Sequence, residues 1–163
     1  MCIRDSNIPS RSVIDMSVET MSKLYELKNI VGVKDATGDL KRVDSQLKSM
    51  GKEFIQLTGN DDNALEFNKR GGVGAIGVTA NIAAKLSSDF QKACKNDMAE
   101  AVKLDKILQP LHSSLFIESN PSPVKYAASL LKMCSPSVRL PLVEIRDETK
   151  KKVSDALKSA KLL

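Results

Sequence analysis

The stretch Asn29–Asp35, with the sequence Asn-Ile-Val-Gly-Val-Lys-Asp, decides the fold class of this chain. Its apolar residues form a short β-branched run, which is typical of a strand that is buried on both faces. The run ends at Lys34, and Thr37–Asp39 follows as a turn. Because helices cover both faces of such strands in parallel sheets, the stretch predicts an α/β protein.

Strand and helix patterns alternate around this stretch. Two further strands are predicted at Phe54–Thr58 and Ala75–Thr79, and Asn7–Arg11, which contains a proline, is predicted to be a loop. Apolar residues at helical spacing predict helices after Ser17 and Asp39, and at Ala64–Lys69, Ile82–Lys95, Met98–Leu111, Val124–Lys132 and Glu148–Ala160. The alternation implies parallel strands joined by crossovers. Because a closed barrel of this type needs about eight strands, the chain is either a small open sheet or part of a larger barrel.

The composition argues against several classes of function. The net charge is +5, but the lysines are interleaved with acidic residues and do not alternate with aromatic ones, which disfavours nucleic-acid binding. No apolar run reaches the roughly 20 residues that a membrane span requires. His112 is the only histidine, which disfavours a histidine metal site or a Ser-His-Asp triad. The widely spaced Cys2, Cys94 and Cys134 indicate reduced thiols in a cytoplasmic protein.

Four residues are candidates for a functional site. Lys34 ends a strand, where barrel enzymes carry catalytic groups, and an amine shielded from water there is a usable nucleophile toward a carbonyl group. The guanidinium of Arg11 is suited to hold a substrate carboxylate through two parallel hydrogen bonds. Gly59 and Ile76 lie in the second and third strand regions, where the backbone can approach a ligand. From position alone, a solvent-facing lysine, a surface arginine, a turn glycine and a core isoleucine are the simpler interpretations.

Six short segments occur in a fixed order along the chain, and no single one of them is specific. They are Asn7–Arg11 (NIPSR), Val31–Gly38 (VGVKDATG), Leu57–Asp61 (LTGND), Gly71–Asn81 (GGVGAIGVTAN), Glu118–Lys125 (ESNPSPVK) and Leu140–Leu142 (LPL). As an ordered set they resemble the dihydrodipicolinate synthase family, from about residue 7 to residue 163.

The resemblance implies a partial TIM (β/α)8 barrel, made of its last three strand–helix units, followed by a C-terminal helical extension. On this basis residues 1–6 lie outside the family pattern, residues 7–95 form the C-terminal part of the barrel, and residues 96–163 form the extension. The chain is then expected to be the C-terminal half of a protein whose full-length relatives are homotetramers.

The resemblance also implies the chemistry of a class I lyase. The lysine that matches Lys34 forms a Schiff base with pyruvate, and the resulting enamine attacks aspartate semialdehyde in lysine and diaminopimelate biosynthesis. The arginine that matches Arg11 binds a carboxylate at the site entrance, and the positions that match Gly59 and Ile76 line the pyruvate pocket. The expected partners are therefore small molecules, with no cofactor, metal, nucleic acid or membrane. A related keto-acid aldolase, such as N-acetylneuraminate lyase, and a catalytically inert fragment are the alternatives.

The sequence departs from the family pattern at Ser6. The family carries a catalytic tyrosine five residues before the arginine that matches Arg11, and this chain has a serine there. That tyrosine relays protons with a threonine and with a second tyrosine of a neighbouring subunit, both in a part of the family sequence that this chain does not match. Residues 1–6 as a whole do not resemble the family.

Overall fold

A computed structural model describes residues 3–163. Four strands form one parallel sheet in chain order: β1 (Ile3–Asn7), β2 (Ile30–Asp35), β3 (Ile55–Thr58) and β4 (Gly74–Ala75). The helices are α1 (Pro9–Ser12), α2 (Val18–Tyr25), α3 (Lys41–Met50), α4 (Ala64–Lys69), α5 (Ala84–Asn96), α6 (Met98–Ser114), α7 (Ser122–Leu130) and α8 (Asp147–Ser159), with 3-10 turns at Asp61–Asn63 and Thr79–Asn81. The chain divides into two compact units, one ending at Gly77 and one running from Val78 to Leu163.

The predicted α/β class with a parallel sheet is confirmed, but the predicted number of three strands is wrong. The extra strand, β1, has the mostly polar sequence Ile-Arg-Asp-Ser-Asn, so no apolar pattern indicated it. Backbone pairing with β2, up to the pair Asn7 and Asp35, makes this segment a strand. The predicted loop Asn7–Arg11 is also wrong. Its first residue, Asn7, belongs to β1 through the same pairing. Pro9 begins the single helical turn α1, because proline suits the first position of a helix.

The third predicted strand, Ala75–Thr79, is shorter than expected. β4 contains only Gly74 and Ala75, and Ile76 adds one more backbone hydrogen bond to Thr58, 2.9 Å long. The chain then passes so close to Asp61 that a Cβ on Gly77 would lie 1.6 Å from the Asp61 carboxylate oxygen Oδ1. The carboxylate thus occupies the side-chain space of residue 77, which requires glycine immediately after the strand.

One face of the sheet packs against α2 and α3. Met21 of α2, Val33 of β2 and Phe54 form its core, each at most 2% exposed, and burying such a side chain contributes about 1.5–3 kcal/mol. The Phe54 ring meets Tyr25 edge to face, with centroids 5.0 Å apart. The helix predicted after Ser17 is confirmed, and the Ser17 hydroxyl caps it by accepting the Thr20 N–H at 3.1 Å.

The helix predicted after Asp39 is also confirmed, as α3. Asp39 Oδ1 accepts the Lys41 N–H at 2.9 Å, which satisfies one of the free donors of the first turn. Gly51 ends the helix with a φ of 80°, a left-handed conformation that favours glycine. Val43 and Gln46 are the buried residues of α3.

The second unit is helical, as the sequence predicted. Its core is made of fully buried side chains from α6, α7 and α8: Ala101, Leu108, Leu111, Ala127, Val153 and Leu157. The predicted domain boundary between residues 95 and 96 falls in the last turn of α5 and stays a prediction. In the stretch from residue 3 onward, no helix is both long enough and apolar enough to cross a membrane.

Candidate active site

Near the carboxyl ends of the strands, four residues lie side by side in one row across the sheet. The register pairs Ser6 with Lys34, Lys34 with Leu57, and Leu57 with Gly74. Side chains at paired positions of neighbouring strands point to the same face. The row therefore presents the Lys34 side chain between the side chains of Ser6 and Leu57.

Lys34 points away from the helix-covered face of the sheet. Its neighbours Val33 and Asp35 are both buried, Val33 in the core with Met21 and Asp35 against α3, so alternation along β2 places the lysine on the opposite face. The Lys34 side chain is half-buried. Among the side chains that the structure describes, none forms a hydrogen bond or ion pair with its amine, so the amine is available to a ligand.

Gly59 lies directly beneath the end of the Lys34 side chain. A Cβ built on Gly59 would be 3.0 Å from Lys34 Cε and 2.6 Å from Ala36 Cβ. The Gly59 N–H donates to the Asp35 carbonyl at 2.7 Å, which continues the ladder between β2 and β3 by one residue. The absence of a side chain at Gly59 therefore makes room for the lysine.

Ile76 lies beside this pair in the sheet, whereas Arg11 lies outside the sheet. The Ile76 N–H donates to the Thr58 carbonyl, so Ile76 lies in the register position next to Gly59. Arg11 is in α1, which follows β1, and its side chain is exposed without an ion pair to any described residue. The structure thus brings Lys34, Gly59 and Ile76 together at one end of the sheet, whereas within residues 3–163 no hydrogen bond links the Arg11 side chain to them.

A pair of charged residues that the sequence did not reveal lies behind this row. Asp35 is 5% exposed and its Oδ2 accepts a hydrogen bond from Arg42 Nε at 2.8 Å, and the Arg42 side chain is 13% exposed. Asp35 alternates with the core residue Val33, and this period of two could have indicated that its carboxylate faces inward and needs a partner. Nothing in the sequence singled out Arg42 as that partner.

In the second unit, the first residue of the segment Glu118–Lys125 contacts the start of a helix. Glu118 Oε1 accepts the Arg146 N–H at 3.0 Å, at the start of α8. A hydrogen bond from the Thr149 hydroxyl and this backbone bond hold the pKa of Glu118 below its ordinary value. Both bonds favour the ionised carboxylate, which also suits the positive end of the helix dipole. Glu118 therefore anchors the terminal helix.

The fold and the site together define a class: an α/β protein with a parallel sheet that presents a half-buried lysine, whose amine has no partner among the described residues, near the carboxyl ends of its strands. The comparisons with known proteins agree with this class and narrow it. The model of the Dihydrodipicolinate synthetase family matches residues 6–160. The chain therefore belongs to this family, which confirms the resemblance seen in the sequence.

Individual relatives give the same result. A 4-hydroxy-tetrahydrodipicolinate synthase of Pelagibacter ubique is 70% identical over 161 residues, which are 96% of this chain and 55% of that protein. The structure of dihydrodipicolinate synthase from Aquifex aeolicus superposes with a TM-score of 0.95 at 36% identity, over 99% of this chain and 56% of that one. The enzyme of Acinetobacter baumannii, in a complex with pyruvate, has a TM-score of 0.95 at 35% identity, over 100% of this chain and 56% of that one. The chain thus spans about half the length of the relatives it matches.

Proposed function

We propose that this chain provides the Schiff-base lysine of a 4-hydroxy-tetrahydrodipicolinate synthase, a class I lyase of lysine and diaminopimelate biosynthesis. The observation that carries the proposal is the position of Lys34, whose half-buried amine stands near the carboxyl end of β2 over Gly59. The proposal is supported by the 70% identity to the Pelagibacter ubique synthase and by the pyruvate bound to the similar Acinetobacter baumannii enzyme.

The chemistry follows from the amine. The unprotonated nitrogen of Lys34 adds to the ketone carbon of pyruvate, and loss of water gives an imine. Protonation of this imine makes it an electron sink, so that a proton can leave the pyruvate methyl group and a neutral enamine forms. The enamine carbon then bonds to the aldehyde carbon of aspartate semialdehyde. Lys34 therefore needs room for a planar adduct, and the missing side chain at Gly59 provides space beside Cε.

The other candidate residues have supporting roles in this proposal. Gly59 and Ile76 line the pyruvate pocket through their backbones, next to Lys34 in the sheet. Arg11 binds the carboxylate of the incoming aldehyde at the entrance, a role that suits an exposed guanidinium without an ion pair among the described residues. These roles would make the two substrates small acids that are held through their carboxylates and carbonyl groups.

The wider architecture is part of the same proposal. Strands β2 to β4, within residues 7–95, fit the C-terminal part of a (β/α)8 barrel, and the helices of residues 96–163 fit a helical extension. The relatives are nearly twice as long as this chain, which is the length that a complete barrel requires. We place the full-length protein in the cytoplasm, because its three cysteines are too widely spaced to suggest pairing, and expect it to be a homotetramer.

The test is reductive trapping. The chain is treated with pyruvate and borohydride, and its intact mass is compared with that of Lys34→Ala and of Lys41→Ala, a matched control that removes an exposed lysine from the first position of α3. We expect a pyruvate-sized adduct in the chain and in the Lys41→Ala control but none in Lys34→Ala. An adduct that persists without Lys34, or no adduct in a folded chain, contradicts the proposal.

One observation favours the alternative of an inert fragment. Ser6, not a tyrosine, is the register neighbour of Lys34 on β1, so the aromatic hydroxyl of the family's proton relay is absent at that position. Incubation with pyruvate and a second substrate, without borohydride, separates the alternatives. Consumption of aspartate semialdehyde indicates the synthase, consumption of a sugar aldehyde indicates a keto-acid aldolase, and an adduct that reacts with neither indicates an inert fragment.

A further inference from the structure

Arg42, on the helix-covered side of the sheet, holds three groups at once. Its Nε donates to Asp35 Oδ2 at 2.8 Å, its Nη1 to Asp15 Oδ2 at 3.2 Å, and its Nη2 to the Met16 carbonyl at 2.5 Å. Only 13% of the Arg42 side chain is exposed. A planar guanidinium can satisfy three acceptors in fixed directions, which a lysine ammonium at the end of a flexible chain cannot reproduce.

These acceptors belong to two parts of the chain, one at the end of β2 and one in the connection after β1. Asp35 is the last residue of β2, next to Lys34. Asp15 and Met16 lie in the connection between α1 and α2, and both are tied to Asn7, the last residue of β1. Asn7 Nδ2 donates to Asp15 Oδ1 at 2.8 Å, and the Met16 N–H donates to Asn7 Oδ1 at 3.1 Å. Arg42 therefore connects the end of the strand that carries the lysine with the connection that follows β1 and α1.

Both oxygens of the Asp35 carboxylate accept hydrogen bonds in this network. Its Oδ1 accepts the Thr37 N–H at 2.9 Å and the Thr37 hydroxyl at 2.6 Å, while Oδ2 accepts from Arg42. Because Asp35 and Lys34 point to opposite faces of β2, the carboxylate does not reach the lysine amine. The network thus fixes the β2 backbone from the helix-covered face, and the face that carries the Lys34 side chain is left free for a ligand.

Stability alone explains this ion pair poorly. Removing two charges from water is costly, and their attraction roughly offsets this cost, so a buried pair contributes little net stability over an apolar replacement. The ion pair is better explained by its effect on the geometry of the backbone, because Arg42 joins three separate segments. The exposed pair of Arg70 and Asp44 at the other side of α3 offers a comparison, since its side chains are 43% and 54% exposed and connect only two helices.

We propose that Arg42 is a positioning residue, which fixes the end of β2 so that the Lys34 amine stands correctly for attack, and which fixes the Arg11-bearing segment relative to it. This inference rests on the proposed function of Lys34 and adds a residue to it. Arg42 touches no substrate, because it lies on the face of the sheet opposite to the Lys34 side chain.

The experiment compares Arg42→Gln and Arg42→Lys with the matched control Arg70→Gln. The rate of pyruvate trapping is measured at increasing pyruvate, and each rate is corrected for the folded fraction from a urea titration. We expect Arg42→Gln to lower the maximal rate about tenfold or more at an unchanged half-saturating pyruvate concentration, because misplacement of a nucleophile by about 1 Å can cost about 100-fold. Arg42→Lys recovers part of the rate, and Arg70→Gln keeps it.

Amide hydrogen exchange tests the Arg42 network without relying on pyruvate trapping. The N–H groups of Met16 and Thr37 donate into the network, so in Arg42→Gln they should exchange about tenfold faster than in Arg70→Gln. If the unmodified chain forms no adduct, the proposed function fails for this chain, and the exchange comparison alone decides the positioning role. Equal exchange in the two variants, or a maximal rate in Arg42→Gln equal to that of Arg70→Gln, overturns the inference.

Discussion

Replacing Gly59 with alanine adds one methyl group beneath the lysine, where the structure has no space for it. The φ of Gly59 lies outside the left-handed region, so the substitution is a problem of volume and not of backbone strain. The new Cβ would stand 2.6 Å from Ala36 Cβ and 3.0 Å from Lys34 Cε. Ordinary carbon contacts are about 3.5–4.0 Å, so the overlap with Ala36 is about 1 Å.

The groups around Gly59 differ in their ability to move. The Ala36 N–H is bonded to the Asn7 carbonyl at 2.9 Å and the Gly59 N–H to the Asp35 carbonyl at 2.7 Å, so the two strand ends resist separation. Lys34 Cε belongs to a flexible side chain and gives way first. Overpacking of this kind costs about 1–3 kcal/mol, and we expect a loss of about 2 kcal/mol, a change of roughly 30-fold in the unfolding equilibrium.

Urea unfolding and pyruvate trapping measure the two consequences separately. The matched control is Gly51→Ala, which adds the same methyl group at a position with nothing within 4 Å but with a φ of 80°, at a cost of about 1–2 kcal/mol. Both variants should be destabilised. Only Gly59→Ala should also trap pyruvate more slowly, by about tenfold, because the amine is displaced.

Two results would refute this reasoning. A Gly59→Ala variant as stable as the unmodified chain would show that the strand ends adapt at no cost, against the close contact with Ala36. A variant that is destabilised but traps pyruvate at the full rate would show that the position of the Lys34 amine does not depend on Gly59.

Two further predictions concern Arg11 and Glu118. In Arg11→Ala we expect unchanged pyruvate trapping and a rise of about tenfold in the aspartate semialdehyde concentration that half-saturates the reaction, because a charge-assisted hydrogen bond to the carboxylate is lost; unchanged half-saturation would contradict the role. The pKa of Glu118 is lowered in the folded chain, so its stabilising effect is present above the ordinary glutamate pKa and disappears as the pH falls through the lowered value. Glu118→Gln should therefore be less stable than the unmodified chain at about pH 7, and the difference should shrink as the pH falls towards about pH 3; an equal difference at both pH values in urea titrations would count against it.

The fold was predictable where apolar periodicity is strong. β2, β3 and the helices from α2 to α8 each carry a regular apolar pattern, and these elements are confirmed with ends shifted by a few residues. β1 was not predictable, because a mostly polar segment becomes a strand only through its pairing with β2. The close approach of Asp61 to Gly77, just after β4, was not predictable either, because it joins residues that no regular spacing connects.

The candidate site was predictable only in part, for a similar reason. From position alone the sequence favoured a solvent-facing lysine, a turn glycine and a core isoleucine, and only the resemblance to the family singled out Lys34, Gly59 and Ile76. The link between Asp35 and Arg42 depends on where the first turn of α3 meets the end of β2. A contact of this kind joins residues that no regular spacing connects, so it appears only once the chain is folded.

The alternation of Lys34 and Asp35 along β2 has a consequence for how this sequence can drift between generations. Exchanges among β-branched residues at Ile30, Val31 or Val33 preserve the strand, so they can accumulate. The gain or loss of a single codon in this stretch is different, because it turns every later side chain of the strand to the other face. After the loss of a residue the carboxylate would occupy the place of the amine, and after the gain of a residue the amine would occupy the place of the carboxylate, against Arg42. The number of residues between the start of β2 and Lys34 is therefore more tightly constrained than the identity of those residues.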